Sequence, residues 1–243
     1  MNITSNALRP LAAVDQFLRA DAHRLKEWAA WPQSRLVWLC VGAIVAGGGA
    51  YGAAVGSWWA PLQAVYVAIK LPLLILLTTI GNGLLNGMLA PLLGLKITFR
   101  QSLTAVLVSF AIASTILGAL SPVALFVVWN TPPLTGTTRP SSPEYCFLQL
   151  TLVVFIAAAG VVGNVRLLPL LKQWASRGAA ARRVLFAWLA GNLFLGSQIC
   201  WVLRPFIWDS GGRVVFIGPQ SFHGSFHETV FEAARRLLFS RIN

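Results

Sequence analysis

Of 243 residues, 56% are hydrophobic and only 11% are charged, with a mean hydropathy of +0.69. An ordinary soluble domain carries roughly a quarter charged residues, so this composition excludes a soluble surface of the usual kind. The net charge of +12 does not indicate nucleic acid, because the bases flank apolar runs and no basic-aromatic groove pattern appears.

Residues 1–35 form a polar segment in which Leu11, Val14, Leu18, Leu25 and Trp28 recur at helical spacing, with Asp15, Arg19, Asp21, Arg24 and Lys26 mostly between them. This pattern predicts an amphipathic helix over 11–31, lying on the bilayer or docking a partner. Five charge-free runs follow, at 36–69, 71–95, 101–138, 145–165 and 184–203. Each reaches the ~20 residues needed to cross ~30 Å of hydrocarbon, and backbone groups in lipid must be paired within the segment. The expected fold is therefore all-α: a five-helix transmembrane bundle over 36–208 with amphipathic helices at both ends.

The first span, about 36–55, carries Gly48, Gly52 and Gly56 four residues apart, a flat stripe for a close helix neighbour in the same chain or in another. Trp58-Trp59-Ala-Pro61 is a turn at the interface. The second span is predicted at 71–93, with 62–69 as a short approach, Lys70 as an interface anchor and Pro72 in the first helical turn. Asn82 and Asn86, one turn apart, are placed to hydrogen-bond another helix. The third span, about 103–129, contains Ser121-Pro122 and should kink or end there. The fourth covers about 147–168, and the fifth about 184–203.

The fifth span bears Asn192 and Gln198, the latter more in need of a packing partner, and ends on Arg204-Pro205 between Trp201 and Trp208. The tail, 209–243, contains Ser225-Phe-His-Glu228, a capping box that predicts a helix over 226–240.

Orientation follows from the bases. One side collects Arg9, Arg19, Arg24, Lys26 and Arg35, the pair Lys96 and Arg100, and Arg166, Lys172, Arg177, Arg182 and Arg183, whereas the short loops of the other have only Arg139, plus Lys70 at the rim. By the positive-inside rule the N-terminus is cytoplasmic and the tail extracytoplasmic. Trp58, Trp59 and Trp201 join the outer aromatic belt, Arg204 anchors the outer rim, and Lys172, Arg177, Arg182 and Arg183 would hold anionic lipid or an acidic partner.

Catalytic chemistry is sparse. Between Glu27 and Asp209 the only acid is Glu144, and the histidines, His23, His223 and His227, all lie outside the spans. No HExxH, P-loop or nucleotide-binding glycine motif occurs. His223 and His227 beside Glu228 are a weak metal pattern, so neither metal nor cofactor is expected. Cys146 and Cys200 both fall toward the outer side, where a disulfide could form.

Four motifs carry a family resemblance: Lys70-Leu-Pro-Leu-Leu-Ile-Leu-Leu-Thr-Thr79, Phe99-Arg-Gln-Ser-Leu103, Gly196-Ser-Gln-x-x-Trp-Val-Leu-Arg-Pro-Phe206 and Ser225-Phe-His-Glu-x-Val230. Together they resemble a bacterial multi-spanning family loosely similar to the Yip (Rab-GTPase-interacting) five-helix membrane proteins. Relatives continue Leu-Arg-Pro-Phe-Ile with glycine, where this chain has Trp208. The resemblance implies five spans, a cytoplasmic N-terminus and no established catalysis. The functional expectation is a non-enzymatic subunit of a larger complex in a bacterial cytoplasmic membrane, contacting lipids and other membrane subunits or further copies of itself. The alternative is a small-solute, ion or lipid transporter or channel lined by Asn82, Asn86, Asn192, Gln198 and Lys70. An enzyme acting on lipid through the tail ranks third.

Overall fold

A computed structural model describes residues 33–58, 60–92, 98–132, 143–168, 171–172, 178–203, 216–217 and 226–239. The described residues form an all-α bundle with five helices long and apolar enough to cross a membrane. Helix α1 comprises Gln33–Ala43, a π-helical turn Ile44–Gly48, and Gly49–Gly56. It is followed by α2 (Pro61–Leu92), α3 (Phe99–Trp129), α4 (Pro143–Val165), α5 (Gly178–Leu203) and a tail helix α6 (Phe226–Phe239). The amphipathic helix expected over 11–31 lies outside the described residues.

The centre of the bundle is α3, whose buried face runs from Ser102 through Val108 and Ile112 to Val128. Helix α1 packs on α2 and α3 through its small residues. The Cβ of a side chain on Gly52 would lie 2.5 Å from the Val67 carbonyl oxygen, and one on Gly56 would lie 2.7 Å from the Ala64 Cα. Gly48 sits against the ring of Pro72, and a Cβ on Gly118 would come within 2.8 Å of the Gly47 Cα. The stripe therefore works inside the chain, where bare backbones approach closely. Of the two uses open at the sequence level, packing within the molecule is the one the structure displays.

The expectation that Pro72 sits in a first helical turn is corrected, as is an early helix end at Pro122. Helix α2 starts at Pro61 and passes through Pro72 to Leu92 without an interruption, so 62–69 is helix rather than an approach. Pro61 supplies the pre-set φ of a first turn, and the ring of Pro72 packs beside Gly48. Helix α3 likewise passes Pro122 and ends at Trp129. Proline lacks an N–H, which would orphan the carbonyl four residues back, that of Gly118. The Ser121 hydroxyl donates to that carbonyl at 2.7 Å, so the apolar surroundings meet no bare acceptor.

The N-terminus of α3 has a full capping box. The Gln101 N–H donates to Thr98 Oγ1, and the Thr98 N–H donates to Gln101 Oε1 at 2.8 Å. Its signature, Thr followed three residues later by Gln, was present in the sequence. At the far end of α1, Trp58 is buried, donates its indole N–H to the Thr131 carbonyl at 3.1 Å and lies tilted against the Tyr145 ring, centroids 5.9 Å apart. Expected as an interface anchor, Trp58 also ties α1 to the ends of α3 and α4.

Candidate functional site: an apolar pocket among the spans

Between α2, α3, α4 and α5 lies a pocket of about 330 Å³. Its walls come from Leu74 and Ile75 of α2, Phe110 and Leu117 of α3, and Leu152 and Ile156 of α4. Leu189 and Leu193 of α5 complete the wall, and Phe226 of the tail helix closes one side. The volume falls at the lower end of the range for ligand pockets, roughly 300–1,000 Å³. Among the described residues, no acidic or basic side chain lines it.

The pocket exists because α4 and α5 barely touch one another. Helix α6 touches α4 more extensively than α5 does, so the tail wedges between the two last spans. Three aromatic rings fix that wedge. The His227 ring stacks on Phe194 of α5 with centroids 6.5 Å apart and 15° between planes, and meets Phe226 edge-on at 5.9 Å. His227 Nε2 lies 3.0 Å from Ser197 Oγ, which also donates to the Phe194 carbonyl at 2.9 Å. Ser197 holds a single proton, so with that proton on Phe194 it accepts from the imidazole N–H.

A neighbouring tail segment reaches α2. Phe216 meets Tyr66 edge-on at 5.6 Å and lies under the Lys70 ammonium, 4.9 Å from its ring centroid. Lys70 is only 2% exposed, nine residues into a continuous helix. Lys70, expected as an interface anchor, is enclosed, with an aromatic ring as its neighbour.

Polar side chains collect toward the end of the bundle where α4 finishes. Asn192 of α5 donates its amide to Asn164 Oδ1 of α4 at 3.0 Å, and Asn164 donates to the Gly160 carbonyl at 2.8 Å. This pair floors the pocket. Asn82 and Asn86, expected to bond another helix, are buried, and Asn82 Oδ1 faces Gly191 of α5. Among the described residues, however, neither oxygen nor nitrogen of Asn82 finds a partner, nor do the Asn86 amide nitrogen and the Trp188 indole. Three further orphans belong to pocket-lining residues: Gln149 Nε2, Ser114 Oγ and Asn192 Oδ1.

Gln198 is half-buried, and its neighbour Ser197 is the residue that meets another element. Lys172, Arg182 and Arg183 are exposed, as a lipid-facing or partner-facing basic surface requires. Trp201 is half-buried near the end of α5. Trp59, Arg177, Arg204 and His223 lie outside the described residues. Cys146 and Cys200 are separate thiols rather than a disulfide.

The Ser197–His227 contact was hidden in sequence, since its partners are thirty residues apart with Arg204-Pro205 between them. The only signal was that both fall within the quoted motifs, Gly196-Ser-Gln and Ser225-Phe-His-Glu. Set against family models, curated proteins and solved structures, the chain matches none. The likeness to the Yip-related family therefore rests on its short motifs.

Proposed function

We propose that this chain is a multi-pass protein of a bacterial cytoplasmic membrane, N-terminus inside, that binds the apolar chain of a lipid within its bundle. The role is one of binding rather than chemistry, the lipid-handling arm of the transporter alternative. The observation that carries it is the apolar pocket of about 330 Å³ among α2, α3, α4 and α5. A polar solute or an ion would need a lining that replaces its water, and these walls are nearly all leucine, isoleucine, phenylalanine and small residues. Gentle extraction into detergent followed by native mass spectrometry tests the reading: one lipid should remain bound per chain after extensive washing. A bare chain in several mild detergents overturns it.

A second reading, subunit of a larger complex, is favoured by one feature. Gly196, beside Ser197, touches Thr78 near the midpoint of the 32-residue α2, so His227 and its neighbour Glu228 sit about halfway through the bundle. Both are exposed, and a polar surface at that depth is better matched by a covering protein than by lipid. Co-purification of a second chain at native expression, lost when Glu228 is replaced by leucine, supports this reading.

A further inference from the structure

We infer that the occupant is an anionic phospholipid of the leaflet at the N-terminal end of α5, its phosphate paired with Arg182 and the end of one acyl chain entering the pocket beside Leu193. The inference rests on the proposed binding of a lipid chain and names its head group and its way in.

Of the side chains that line the pocket, three are also exposed on the outside of the bundle: Ala157 and Val161 of α4 and Leu193 of α5. Leu193 is 62% exposed and Val161 43%. Leu193 follows Asn192, whose amide bonds Asn164 of α4, so it stands at the seam between the last two spans. Residues that face both the cavity and the exterior mark an opening, and this one gives onto the bilayer rather than onto water. Further along α5 the tail occupies the helix surface, with His227 on Phe194 and Ser197. The uncovered run of α5 is the one that descends to Arg182.

Helical register joins the opening to the membrane rim. At 3.6 residues per turn each residue advances about 100°, which places Arg182, Phe186, Leu189 and Leu193 within about 60° of one another around α5. Arg182 and Phe186 are exposed, and Leu189 lines the pocket. Arg182 and Leu193 are separated by about 16 Å along the axis at the 1.5 Å helical rise, against ~15 Å for half of the ~30 Å hydrocarbon layer. A lipid held at Arg182 therefore brings the inner end of its chain level with Leu193.

The rim has the charge for it. Arginine presents a planar fork of donors that matches phosphate oxygens. No acid occurs in the sequence between Glu144, at the opposite end of α4, and Asp209, so the near ends of α4 and α5 offer Arg182 no carboxylate to compete with a phosphate. Arg183 is also exposed, but it is turned about 100° from Arg182 and lies off the track. In the proposed topology this rim is cytoplasmic, where basic side chains meet anionic lipid.

The test presents the full chain in nanodiscs with two phospholipids of identical acyl chains, phosphatidylglycerol and phosphatidylcholine, each with a diazirine at the chain end. Labelling of peptides containing Ile156 or Leu189 is measured in competition. The wild type should favour the anionic lipid about fivefold or more, the share of one arginine at a membrane surface. Arg182→Gln should lower that preference about fivefold with phosphatidylcholine labelling unchanged, which also shows that the variant is folded. Arg182→Lys should restore most of the preference, and Arg183→Gln should keep it. Equal labelling of the two lipids by the wild type, a preference that survives Arg182→Gln, or an equal loss in Arg183→Gln overturns the inference while leaving lipid binding intact. Absence of labelling by either lipid refutes the binding reading and the head-group contact with it.

Discussion

Asn192 and Asn164, on the last two spans, share a side-chain hydrogen bond of 3.0 Å in the apolar interior. It joins helices that otherwise have little direct contact. Interhelical hydrogen bonds in membranes are worth about 0.6 kcal/mol on average and up to ~1.7 kcal/mol. Asn192→Ala should therefore lower stability by about 1 kcal/mol, read as a reduced unfolding midpoint in detergent. An unchanged midpoint would mean that the floor of the pocket is held by other contacts.

The glycine stripe makes a sharper prediction. At Gly52 any side chain meets the Val67 backbone, which cannot move aside as a side chain end can, whereas at Gly42 no atom lies within 4 Å of an added Cβ. Gly52→Leu should abolish a monodisperse detergent-solubilised protein, and Gly42→Leu should behave as wild type. Well-folded Gly52→Leu would contradict the close approach of α1 to α2.

Ser121 offers a test of how α3 tolerates its proline. The Gly118 carbonyl has lost its usual donor to Pro122 and takes the Ser121 hydroxyl instead. Ser121→Ala should destabilise the bundle by about 1 kcal/mol, and Ser121→Ala with Pro122→Ala should recover most of that loss, because the backbone donor returns. Failure of the double variant to recover would assign Ser121 some other role.

Lys70 sets two magnitudes against each other. Its cation-π contact with Phe216 is worth about 0.5–2 kcal/mol, while a charge inside the bilayer costs about 2.5–3.5 kcal/mol. Desolvation wins, so Lys70→Met should leave the unfolding midpoint unchanged or raise it. A clear drop would show that the ammonium is held by more than the ring.

What was legible in the sequence follows from periods longer than a helix turn. Five apolar runs separated by charge predicted five spans, because lipid leaves a backbone no other way to pair its polar groups. The ends were read less well. Pro72 and Pro122 look like breaks because each lacks an N–H; at Pro122 the neighbouring serine hydroxyl donates to the carbonyl left behind. The pocket was not legible at all. It is the gap between α4 and α5 left by a tail helix whose His227 reaches back to Phe194 and Ser197, and no local spacing encodes that return. The burial of Lys70 was hidden for the same reason, its neighbour Phe216 being far along the chain.

The central claim, that a lipid chain occupies this pocket, is tested most directly at Gly160. That glycine lines the cavity, and nothing lies within 4 Å of a Cβ built on it, so Gly160→Phe should fill the space without displacing a neighbour. The measurement is photolabelling of the full chain in nanodiscs by a diacyl phospholipid carrying a diazirine at the chain end. The account predicts labelled peptides containing Ile156 or Leu189 in the wild type, and their loss in a Gly160→Phe protein that melts no lower. Labelling confined to the outer faces of the helices, or unchanged by Gly160→Phe, would contradict it.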